Sequence, residues 1–90
     1  MPPLEKLFRL EIEFHRRLRT QAPGAEDTRA LHTSYALQFG YEPLIRSFDT
    51  VTAEDVDRLR ARLPLAGDTR DIIAARDSLK QLLGLSRLDG

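Results

Sequence analysis

Glu11 and His15 are the two side chains in this sequence best spaced to do chemistry together. They stand four apart, about one helical turn, so on a helix the carboxylate and the imidazole share a face. Three kinds of chemistry follow. The pair can be half of a metal site, with His32 or a second subunit completing the shell. It can be a hydrogen-bonded couple, because a buried carboxylate needs a donor. It can be a polar contact inside an apolar seam that fixes register or partner, and a histidine beside a carboxylate titrates near neutrality. The chain has only these two histidines and no Glu-x-x-His element of the di-metal bundles. No metal and no cofactor are therefore expected.

These residues have to be positioned by helices. Apolar and polar residues recur at helical spacing through most of the chain, and strict alternation over a strand length is confined to Leu10–Phe14, where the helical period is the stronger one. A first helix is expected over residues 3–21, broken by Pro23 and Gly24. A second should run from Glu26 to Phe39, with Gly40 as a left-handed cap. Pro43 can open a short helix through Phe48. Thr52 and Asp55 form a capping box, with Val51 and Val56 as its hydrophobic staple, ahead of a helix that Pro64 ends near Leu63. Asp68 and Asp71 repeat that spacing before a last helix to Leu83, where Gly84 and Leu85 suit a Schellman close. The expected fold is all-α: one domain over residues 1–90, a compact bundle of four main helices plus one short helix.

Each helix carries an apolar stripe. Val56, Leu59 and Leu63 form one, and Ile72, Ala75, Arg76, Leu79, Leu82 and Leu83 another. The first helix is different. Leu4, Leu7, Phe8, Leu10, Ile12, Phe14 and Leu18 cover more than half its circumference, wide for a helix lying on a single core. The excess width suggests a face left over for a partner: Leu7, Phe8, Glu11, Phe14, His15 and Leu18, with Arg16, Arg17 and Arg19 at the rim.

Composition narrows the function. The 90 residues are 41% hydrophobic and 31% charged, with 14 basic and 14 acidic residues and no cysteine. A disordered tail, a disulfide scaffold and a thiol nucleophile are excluded. The zero net charge argues against a dedicated nucleic-acid binder. The apolar runs are far shorter than the ~20 residues that span a bilayer, and Met1–Lys6 has no apolar leader, so a cytoplasmic protein without membrane contact is expected. Of the basic residues only Lys6 and Lys80 are lysine; the other twelve are arginine, with Arg58, Arg60 and Arg62 grouped in the fourth helix, where Glu54 can support Arg58. The five glycines are isolated, so no phosphate loop occurs, and there is no Gly-x-Ser-x-Gly elbow.

Four short segments resemble known families. Asp77-Ser78-Leu79 resembles the phosphopantetheine-attachment tripeptide of acyl carrier proteins, although Ser78 falls inside the last helix, where a surface position is the simpler reading. Between His32 and Phe48, the Ala36–Gly40 spacing flanked by Phe39 and Tyr41 resembles a helix-turn-helix, and Thr52–Arg60 is similar to the helix after the wing in MerR-type regulators. That resemblance implies DNA contacts from Tyr41, Arg46 and Ser47, against the alternative of an ordinary helix–Gly–helix corner. Leu83–Gly90 looks like the short tail that loads cargo into encapsulin shells. Taken together, the residues predict a non-enzymatic adaptor or regulatory module that presents helix 1 to another protein or to a copy of itself, with a small transcriptional regulator as the alternative.

Overall fold

The structure, a computed structural model, describes residues 3–21, 27–62 and 68–85. Among them are five helices and no strand: α1 (Pro3–Gln21), α2 (Thr28–Phe39), α3 (Tyr41–Arg46), α4 (Ala53–Arg62) and α5 (Thr69–Leu82). The protein is an all-α bundle of four main helices and one short one. No helix of the described residues is long and apolar enough to cross a membrane. The expected break at Pro23-Gly24, the stop at Leu63-Pro64 and residues 86–90 of the tail lie outside the described residues.

Local chemistry sets the helix ends. Thr52 and Asp55 close a reciprocal capping box: the Asp55 amide donates to Thr52 Oγ1 at 3.1 Å and the Thr52 amide donates to the Asp55 carboxylate at 2.9 Å. Val56 is buried behind it, and Val51 packs against the core. Asp27 caps α2 through the Ala30 amide, so that helix opens at Thr28. Gly40, at φ 68°, ends α2 and starts α3 at once. A side chain there would meet open space but sit in the left-handed region that favours glycine. The short helix begins at Tyr41, two residues before Pro43, which is tolerated in the first turn where amide donors have no helical partner. The Leu85 amide donates to Lys80 O and the Gly84 amide to Gln81 O, the two bonds of a Schellman motif.

Packing is centred on α1. Its longest seam runs along α5, and it also touches α3 and α2, while α4 leans on α5. Leu7, Phe8, Phe14, Val56, Leu59, Ala75 and Leu79 make the interior, joined by Tyr35 and Tyr41. A helix with neighbours on several sides needs an apolar arc wider than one on a single core. That accounts for the broad stripe of α1, which the sequence reading assigned to a partner. Leu7, Phe8, Glu11 and Phe14 are buried within the chain itself.

Candidate functional site

Glu11 sits fully buried at the centre of the bundle. Its carboxylate does not bond His15. It accepts three hydrogen bonds from three other helices. His32 Nε2 of α2 donates at 2.8 Å, the Tyr41 hydroxyl of α3 at 2.5 Å and the Ser78 hydroxyl of α5 at 2.6 Å. One side chain of α1 therefore ties four helices together. Burial pushes this carboxyl up, but the bonds from His32, Ser78 and Tyr41 together outweigh it and hold it below the ordinary carboxylate range. The same contact, added to burial, drives the Tyr41 phenol far above its usual value.

His15 takes no part in this cluster's hydrogen bonds. Its Nε2 is buried without a hydrogen-bond partner. The ring meets Phe14 edge-on at 5.2 Å, and its centroid lies 6.3 Å from that of His32. Burial lowers its proton affinity, partly opposed by the Glu11 charge. His32 stacks on Phe14 with ring centroids 4.5 Å apart. Among the described residues no three His, Asp or Glu side chains are gathered to hold a metal.

A second buried acid, Asp71, was read from sequence as a capping partner of Asp68. It turns inward instead and receives both arms of the Arg19 guanidinium, at 2.9 and 2.7 Å. Asp68 caps α5 through the Arg70 amide. Arg19 thereby fastens the end of α1 to the start of α5 and is not a free rim charge. The Arg19 bonds, the larger influence, keep the Asp71 carboxyl below its ordinary value despite desolvation. Arg16 and Arg17 are exposed on α1, and both bond Glu13.

The other predicted contacts are also engaged within the chain. Tyr41 is buried, Arg46 pairs with Glu42 at 3.1 Å, and the Ser47 hydroxyl donates to Leu44 O at 2.6 Å. With six residues, α3 is short for a helix that reads a groove of DNA. Ser78 is not a surface residue of α5 but a donor to Glu11. Arg58 leans on Asp55 and not on Glu54.

Four large apolar side chains face outward among the described residues: Ile73 on α5, 39% exposed, and three on or beside α2. Leu37 is 79% exposed, Leu31 42% and Leu82 37%. The last of these was expected in the core of α5. Leu37 and Leu82 flank one cavity of about 230 Å3 between α2, α3 and α5, whose walls include Ala36, Ile45 and one side of His32. Leu31 borders another, of about 210 Å3, with Tyr35, Leu18 and Arg17. Ser78 and His32 border a third beside Leu82. His32 thus joins the buried carboxylate to the groove under Leu37. Neither Leu37 nor the groove was singled out from the sequence; the signal was there in α2, whose apolar residues fall on more than one face.

Set against known protein families, characterised proteins and solved structures, the chain matches none.

Proposed function

We propose that this chain is a small non-enzymatic adaptor or regulatory module that binds another protein chain through the groove walled by α2, α3 and α5. The observation that carries the reading is Leu37, 79% exposed at the lip of a cavity lined by Ala36, Ile45 and Leu82. Apolar side chains around a concave surface are what a helix-in-groove contact uses, and such binding needs no catalytic group. The polar centre supports this role by position. Glu11 is sealed from solvent and already accepts three bonds, so it serves to hold α2, α3 and α5 in the arrangement that shapes the groove. The binding surface proposed here is therefore not the buried face of α1 but the outer side of the helices stacked on it.

The test is retention of partner protein by the tagged full chain, compared with Leu37→Asp and Leu82→Asp, with nuclease present throughout. Both positions are exposed enough for the variants to fold, and circular dichroism checks that they do. Retained protein that survives nuclease and is lost from both variants is the expected result. Retention indifferent to either substitution, or abolished by nuclease alone, would overturn the reading.

A further inference from the structure

We propose that the partner seated in this groove is a second copy of the same chain, related by a twofold axis, with Leu37 of each protomer inserted between α2, α3 and α5 of the other. The inference rests on reading the groove as a protein-binding surface and names its occupant.

A twofold contact requires one patch to carry both halves of the fit, because each residue that inserts must find its hollow on an identical surface. This patch does so. Leu37 projects from α2, and the cavity it borders is floored by the small Ala36 and walled by Ile45 and Leu82. The knob and the hole are adjacent on the same face.

Charge points the same way. Glu42 lines the groove, and Arg46 pairs with it one turn along α3. Both are widely exposed, with 70% and 75% of their side chains open to solvent. The groove therefore has one acid in its lining and, one turn further along α3, the base that pairs with it. Facing a copy of itself in the antiparallel sense, Glu42 meets the other protomer's Arg46, and Arg46 meets its Glu42. The whole chain is neutral, with 14 basic and 14 acidic residues, so two copies approach without net repulsion.

The way α2 is held gives the contact a purpose. Of its twelve residues only Tyr35 is buried, and the helix leaves Leu31 and Leu37 in water. Covering the Leu37 side with a second copy removes that leucine's exposure from both protomers at once, while Leu31 borders a different cavity and stays outside the contact.

Sedimentation equilibrium of the full chain across the micromolar range tests the proposal. A concentration-dependent monomer–dimer equilibrium is expected. Leu37→Asp should weaken it by about tenfold or more, as loss of a central apolar anchor does. Glu42→Arg and Arg46→Glu place like charges across the axis, so each alone should weaken the dimer by about three- to tenfold. Mixing those two variants should restore association as a heterodimer, since every lip position again faces its opposite. A monomer at every concentration overturns the proposal, as does a dimer indifferent to Leu37→Asp or a mixture that fails to associate. If the chain is monomeric but still retains a different protein in a Leu37-dependent way, the second copy is excluded while the protein-binding reading stands. If neither is seen, both fall.

Discussion

The seam between α1 and α5 and the seating of α2 are two solutions to the same problem in one small chain. Along the first, Leu7, Phe8, Ala75 and Leu79 are sealed from water, and the Arg19–Asp71 fork and the Ser78–Glu11 bond lock the two helices in register. In the second, one buried tyrosine, the His32 bond and stack, and the half-buried Ala36 and Phe39 hold twelve residues, and two leucines stay exposed. The difference separates stability from recognition. Apolar area removed from water along α1–α5 holds the fold. Apolar area left out along α2 does nothing for an isolated chain and is available to a partner.

The link between the two regions is Glu11, and removing it has the largest expected consequence. Glu11→Ala leaves Tyr41 in the interior, and His32 and Ser78 at its edge, without their shared acceptor. Breaking a buried charged contact of this kind costs about 3–5 kcal/mol. For a chain of this size that lowers Tm by more than ~10 °C. Glu11→Gln keeps the shape but offers one carbonyl and one amide to three donors, so it should recover only part of the loss. Thermal unfolding followed by circular dichroism measures both. An unchanged Tm in Glu11→Ala would mean that the cluster does not hold the helices together.

Much of the α1–α5 half was legible in the sequence, because its signals are local. The span of α1, the Thr52–Asp55 box and the Gly84 close each depend on residues within a few positions of one another. The partners of Glu11 were not legible. His32, Tyr41 and Ser78 lie 21, 30 and 67 positions away, and no helical period connects them. His15 was the natural guess because it shares a helix with Glu11, yet the bundle brought better donors from other helices. Ser78 left a trace: it stands three after the buried Ala75, one turn along the inward side of α5. The breadth of the α1 stripe was visible, but its meaning was not. An apolar arc of that width suits an interface or a helix with neighbours on several sides, and only the packing tells them apart.

A smaller effect should appear with acid, and His15 is its source. Burial lowers the proton affinity of this imidazole in the folded chain, so the unfolded chain binds the proton more readily. Stability is then fully present above the ordinary histidine value of about 6.5 and declines as pH falls from there through the lowered folded value. Glu11, whose carboxyl is also held down, adds a separate loss in the more acidic carboxylate range. Tm measured from pH 8 to pH 5 should fall in the wild type and stay flatter in His15→Leu. Equal slopes in the two proteins would show that the unpartnered imidazole is not what acid attacks.

The smallest effect is expected where the apolar side chain is most visible. Leu37 is an exposed leucine of a loosely seated helix, so in dilute monomer Leu37→Asp should change stability by no more than about 0.5 kcal/mol. Truncation of Phe8, an aromatic with no exposed surface, should cost about 3–5 kcal/mol. The contrast is informative because both residues are large and apolar, and only their places in the fold differ. Dilution matters to the measurement: where copies associate, the Tm of the wild type rises with concentration, and that of Leu37→Asp does not. A large loss of stability in dilute Leu37→Asp would place that leucine among the residues that hold the fold, and the division between a stabilising seam and an exposed recognition helix would no longer describe this protein.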